Sequence, residues 1–255
     1  MIKAAIVTGS SRGIGRAIAL RLARNGIGVV LCARDRAALT VVANEIESAG
    51  GTAAAIALDL RGEDAAQQLV QFSVDRFGRI DILVNNAGAT KRGDFLALTD
   101  EDWSDGYALK LFGAVRLTRA AWPWLKESSG TLINVAGIGG RTPGAEFTIG
   151  GSVNAALLSF TKAMAEVGIR DGVQVNAVSP GTIRTDRFNQ RLARWAAERQ
   201  ITLVEAEREF IATQHIAKIG EPEDIANLVA FITGPEGRLM QGSLIDMDAG
   251  ATKTL

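Results

Sequence analysis

A chain of 255 residues with 28 Lys and Arg against 28 Asp and Glu has no net charge, so nothing global draws it to nucleic acid or an anionic membrane. Hydrophobic residues at 47% and charged residues at 22% are ordinary for a globular chain able to bury one large core. The single cysteine, Cys32, excludes an internal disulfide and fits a reducing compartment. It lies in an apolar run and is expected to be buried rather than reactive. Met1 leads directly into a strand-like run, so no signal peptide is expected, and no apolar stretch reaches the ~18 residues of a membrane helix. The expected location is cytoplasmic.

In chain order, strands are predicted over 3–8, 28–33, 53–58, 80–85, 131–136, 173–178 and 243–247. Amphipathic helices are predicted between them over 14–25, 36–49, 62–77, 100–127, 152–170 and 222–233. Continuous apolar strands imply burial on both faces, and intervening helices imply parallel crossovers. The predicted fold is a single doubly wound α/β domain over 1–255, of Rossmann type. Residues 184–218 interrupt the alternation with two helices and no strand, which reads as a substrate lid or as plain helical decoration. The arginines Arg184, Arg187, Arg191, Arg194 and Arg199 alternate there with Asp186, Glu198 and Glu205, a pattern expected of a solvated helix.

Residues 8–15, TGSSRGIG, join the first strand to the first helix. Gly9, Gly13 and Gly15 permit a tight turn and close approach to a pyrophosphate at the helix amino terminus, with Ser11, Arg12 and Ile14 between them. The spacing is GxxxGxG rather than the ordinary GxGxxG. Further motifs are Asp59-Leu60 after the third strand, Asn85-Asn86-Ala87-Gly88 after the fourth and Ser179-Pro180-Gly181 after the sixth. Residues 220–225 (GEPEDI) and Asp248-Ala249-Gly250 follow.

Together these motifs resemble the short-chain dehydrogenase/reductase family along essentially the whole chain, in particular its 3-oxoacyl-carrier-protein reductase-like members. The resemblance implies a seven-stranded parallel sheet and a nicotinamide dinucleotide. It places Asp59, with Leu60, at the adenine and Asn86, Ala87 and Gly88 along the ribose side. Pro180 and Gly181 lead Ile183 and Thr185 to the nicotinamide carboxamide. Cofactor choice follows from charge. The second strand ends in Ala33-Arg34 instead of a carboxylate, and Arg12 reaches the same region, so a 2′-phosphate and hence NADP(H) is expected. The other reading of Arg34 is a solvated residue at a strand end.

Reductases of this family pair a Tyr-x-x-x-Lys helix with a serine and an asparagine. The tyrosine protonates the oxygen formed on hydride arrival, a nearby ammonium lowers its pKa, and the serine holds the oxygen. Aligned on Ala156-Leu157 and Thr161-Lys162-Ala163, the lysine position is Asn154, which also belongs to the expected cofactor contacts. Gly150 then falls at the tyrosine, Gly137 at the serine and Lys110 at the asparagine. The only tyrosine, Tyr107, lies outside this region; it is expected in a core or helix contact. Gly137 and Gly150 are expected to open space beside the nicotinamide. Lys110 is the leading substitute acid, a salt-bridged helix lysine being the alternative. Glu146, Thr148 and Ser152 are expected to point elsewhere and His215 to make a polar lid contact. No metal is expected from the His/Cys/carboxylate spacing.

Three functions remain open: an NADP(H)-dependent oxidoreductase acting on a small carbonyl or alcohol, a catalytically inactive NADP(H)-binding subunit or sensor, and a lyase or hydratase using the same pocket. By resemblance a homo-oligomer is expected, a dimer or tetramer, through apolar residues Leu111, Val115, Leu157 and Phe160; a mixed oligomer with an active relative is the alternative.

Overall fold

Short runs of β-branched and small apolar residues form seven strands in the computed structural model, which describes residues 2–254. They are β1 (Ala4–Thr8), β2 (Gly28–Ala33), β3 (Ala53–Ala57), β4 (Ile82–Asn85), β5 (Thr131–Val135), β6 (Gln174–Pro180) and β7 (Leu244–Met247). All pair in parallel in the order β3-β2-β1-β4-β5-β6-β7. Every residue of β1, β5 and β6 is buried, whereas the edge strands β3 and β7 are mostly half-buried. β4 begins two residues later than predicted because Asp81 is used otherwise: its carboxylate accepts from Ala4 N at 2.8 Å and from Arg79 Nε at 2.7 Å.

The helices are α1 (Gly13–Arg24), α2 (Arg36–Ser48), α3 (Ala65–Phe77), α4 (Asp100–Tyr107), α5 (Gly113–Glu127), α6 (Thr148–Asp171), α7 (Asp186–Arg199), α8 (Leu203–Gln214) and α9 (Pro222–Thr233). One apolar layer joins α1, α2 and α9 to the sheet through Ile18, Leu22, Ile46 and Val229. The opposite layer uses Leu69 of α3 with Leu117 and Leu125 of α5. Strand order reverses between β1 and β4, and the crevice above their carboxyl ends is where ligands enter such sheets.

The helix predicted over 100–127 is two helices joined by a π-helical turn, Ala108–Phe112, which carries Lys110. Such widened turns recur at functional sites because they re-aim a side chain without ending the helix. α6 begins at Thr148 rather than 152, so Gly150 lies inside its first turn. Leu157 does not belong to an outer face. It is 1% exposed and packs with Ala114, Ala136 and Ala177, because this side of α6 lies against the sheet; Leu111 and Phe160 flank the same cluster.

The predicted lid is α7 and α8, held together by Phe188, Leu192, Ala196, Ala206 and Phe210. A parallel bridge between Ile183 and Gly220 closes its base. The solvated reading of its arginines needs correcting at two positions. Arg184 is clamped by Glu207 (2.7 and 2.9 Å) and Glu221 (2.9 Å), and Arg191 lies over the rings of Phe210 and Phe188. No helix among the described residues is long and apolar enough to cross a membrane.

Candidate cofactor and substrate site

The turn between β1 and α1 is shaped by contacts that only glycine tolerates. Gly9 adopts φ +65°, and a β-carbon at Gly15 would stand 2.3 Å from the Gly9 carbonyl oxygen. Gly9 N donates to Cys32 O at 2.7 Å, tying the turn to β2. Asn86 clamps the other side: Nδ2 donates to Thr8 O at 2.9 Å, and the backbone amides of Asn86 and Ala87 donate to Thr8 Oγ1, each at 2.9 Å. No side chain caps α1 and its first turn holds no acid, so the helix presents free N–H groups. That cradle fits a pyrophosphate. Ser11, Gly13 and Ile14 are half-buried on this turn, and the Thr185 methyl would stand 3.3 Å from a β-carbon at Gly13, bringing the residue that caps α7 onto it.

Toward the carboxyl end of β2, where the adenine is expected, Arg12 and Arg34 are exposed. Asp59 does not stand alone: Arg61 bonds its carboxylate at 3.2 Å and also binds Asp105. Partial burial pushes the Asp59 carboxyl up, but hydrogen bonds from Arg61 and the charges of Arg61 and Arg34 outweigh it, leaving the group below the usual range. Leu60 is buried beneath. Burial, and then the charge of Asp59, pushes the Cys32 thiol up to about 12, so it is an inert core residue as expected. Pro180 is buried at the end of β6, Gly181 packs on Asp248, and Ile183 is buried at the lid base.

Lys110, Gly137, Gly150 and Asn154 converge beside this crevice. Lys110 Nζ donates to Ala136 O at 2.7 Å, the carbonyl that precedes Gly137. Its stem runs over the loop after β4, where a β-carbon at Gly88 would stand 2.9 Å from Lys110 Cδ. Burial, helped by the charge of Arg187, lowers the ammonium to about 8. With one proton used by Ala136 O, the other two are free to reach a substrate oxygen.

The expected open space is not open. The Phe147 ring lies where a side chain at Gly150 would start, 2.0 Å from a β-carbon there. Asn154, 3% exposed, fills the space at Gly137, its Nδ2 standing 3.0 Å from a β-carbon at that position. Gly137 has φ +151°, a backbone that a serine would adopt only with strain. Asn154 Oδ1 is buried with no hydrogen-bond partner among the described residues.

Of the flanking residues, Ser152 Oγ bonds Ile149 O at 3.0 Å, and His215 is an exposed residue at the end of α8 whose carbonyl accepts from Lys253. Tyr107 stacks on Trp103 of its own helix, with centroids 6.5 Å apart.

Sequence reasoning missed Phe147 and Arg92, which stack with the guanidinium 3.8 Å from the ring centroid. The one available signal was that Phe147 stands three residues before Gly150, the spacing of neighbours on a helix face. It also missed the buried polar ladder behind the site. Asn85 Nδ2 donates to Asn134 Oδ1 at 3.0 Å, and Asn134 Nδ2 donates to Thr161 Oγ1 at 2.9 Å, locking β4, β5 and α6 in register.

Residues 3–196 match the short chain dehydrogenase family. A 3-oxoacyl-[acyl-carrier-protein] reductase of Synechocystis is 35% identical over 249 residues, 96% of this chain and 95% of the relative. An uncharacterized oxidoreductase of Mycobacterium tuberculosis is 33% identical over 256 residues, 98% and 92% of the two chains. Among solved structures, L-sorbose reductase from Gluconobacter frateurii, complexed with NADPH and L-sorbose, superposes with TM-score 0.95 at 30% identity, covering 100% of this chain and 98% of the other. Actinorhodin polyketide ketoreductase with NADPH gives TM-score 0.93 at 30% identity, covering 99% and 98%. The chain belongs to the short-chain dehydrogenase family of nicotinamide-dependent oxidoreductases.

Proposed function

We propose that this protein is an NADP(H)-dependent reductase of small carbonyl compounds in which Lys110 takes the place of the family's tyrosine acid. The observation that carries this reading is the Lys110 ammonium itself, bonded to Ala136 O at 2.7 Å and lowered to about 8. A general acid works best when its pKa lies near the working pH. NADPH, when bound, supplies hydride to the carbonyl carbon.

The rest is done by the chain. The amino terminus of α1 and the turn at Gly9 to Gly15 hold the pyrophosphate, Arg12 and Arg34 hold the 2′-phosphate, and Asp59 faces the adenine. The orphaned Oδ1 of Asn154 is an acceptor for a ribose hydroxyl. Lys110 binds the substrate oxygen and delivers its proton. Structures similar to this chain, such as L-sorbose reductase and actinorhodin ketoreductase, contain NADPH, which supports the cofactor choice.

NADPH binding followed by fluorescence, then NADPH oxidation over a panel of ketones and aldehydes, tests the proposal. Turnover that falls roughly 10²-fold or more in Lys110→Ala is expected; turnover unaffected by that change excludes Lys110 as the acid. A second reading, a cofactor-binding subunit without turnover, is favoured by the Phe147 ring packed over Gly150. Tight NADPH binding with no oxidation across the panel would select it.

A further inference from the structure

Two arginines near the site are held by pairs of carboxylates. Arg61 binds Asp59 and Asp105, and Arg184 binds Glu207 and Glu221. Three others, apart from Arg12 and Arg34 on the cofactor side, are not. Arg92 lies on the loop after β4, and Arg187 and Arg191 lie on α7 of the lid. Among the described residues none of the three makes an ion pair or a side-chain hydrogen bond, and Arg191 Nε is buried with no partner.

Their positions are coupled. Burial and then the charge of Arg187 lower Arg92; burial and then the charge of Arg92 lower Arg191; the charge of Arg187 also reaches Lys110. The carboxylate of Glu146 acts in the opposite sense on Arg92. Aromatic rings fix two of the guanidinium groups, with Arg92 at 3.8 Å from the Phe147 centroid and Arg191 at 4.9 Å from that of Phe210. Ring contacts leave the N–H edges of a guanidinium available, and those edges match the paired oxygens of a carboxylate or phosphate. Like charges gathered without an ion pair among them repel, and a bound anion relieves that repulsion.

We infer that the substrate carries an anionic group, a carboxylate or phosphate ester, gripped by Arg92, Arg187 and Arg191 between the lid and the loop after β4, with its carbonyl directed to Lys110. This deepens the reductase reading and rests on it for the role of the carbonyl. The site also explains why α7 presents Arg187 and Arg191 unpaired while Arg184, on the same segment, is clamped: the lid closes on the ligand's charge.

Calorimetric titration in saturating NADP⁺ compares 4-oxopentanoate with its methyl ester, and dihydroxyacetone phosphate with dihydroxyacetone. At least one charged member should bind roughly tenfold or more tighter than its neutral counterpart. The pair that shows the larger ratio separates carboxylate from phosphate. Arg187→Ala, at an exposed position, and Arg191→Lys should each erode that preference while leaving NADP⁺ binding intact. Equal affinity for charged and neutral members, no binding of any of the four, or full preference in both variants would overturn the inference. Repeating the titration without NADP⁺ on Arg12→Ala/Arg34→Ala protein keeps the cofactor's phosphate site from contributing. Because binding is read without turnover, failure of NADPH oxidation would remove the reductase reading and leave the anion site standing.

Discussion

The ring of Phe147 lies 2.0 Å from where a β-carbon on Gly150 would stand, closer than real atoms approach, so the two residues exclude any larger pair. Gly150→Ala must therefore move the ring, and with it the Arg92 guanidinium stacked above. Overpacking of this kind costs about 1–3 kcal/mol. Urea denaturation of Gly150→Ala should show that loss, and Phe147→Ala in the same chain should recover part of it. Additive losses in the double variant would mean that the two sites do not meet.

The same contact governs any attempt to place a tyrosine at Gly150, where the resemblance aligns the family's tyrosine. Gly150→Tyr alone has no room for its ring and is expected to remain without gain in turnover. Combined with Phe147→Ala and Asn154→Lys, it should raise NADPH oxidation above the parent. Equal rates in the single and triple variants would dissociate Phe147 from the substitution.

Lys110 gives two pH signatures. As a proton donor it must be charged, so kcat/KM should fall as pH rises past about 8, and this limb should vanish in Lys110→Met. Stability runs the other way. The folded ammonium releases its proton near pH 8 and the unfolded one near 10.5, so between those values the unfolded state holds more protons. Stability attributable to Lys110 therefore rises with pH across that window and is lowest below it. Chemical denaturation from pH 7 to 10.5 checks this: the rise should be absent in Lys110→Met.

Arg34 and Arg12 are exposed and form no ion pair among the described residues, and the proposed reading gives both to a 2′-phosphate. Arg34→Asp should weaken NADPH roughly tenfold or more and affect NADH little, as read by fluorescence titration. Unchanged NADPH affinity would return Arg34 to a solvated strand-end residue.

The clamp from Arg184 to Glu207 and Glu221 ties the lid to the loop before α9. Its side chains are about one-third to one-half exposed, so Arg184→Ala should leave global stability within roughly 0.5 kcal/mol. Hydrogen exchange should instead accelerate in α7 and α8 alone. Uniform acceleration through the sheet would show that the clamp serves the whole fold.

By itself the sequence determined the elements whose signals are local. The seven apolar runs, the glycine spacing before α1 and the helical periodicities each depend on residues within a turn or two, and their strands and helices lie close to where they were read. It also singled out Lys110, Gly137, Gly150 and Asn154 as the positions to compare with the family's catalytic pattern. Only the tertiary structure decided how those residues are placed. Docking of α6 on the sheet turned Leu157 inward, a π-helical turn redirected Lys110 to Ala136 O, and the loop before α6 laid Phe147 over Gly150. The packing of α7 beside the loop after β4 set Arg187 and Arg191 within reach of the charge of Arg92. Periodicity reports which face of one element is apolar; it carries no information on which loops meet across a crevice. That is settled by packing between segments far apart in the chain, where shape and charge must be satisfied together.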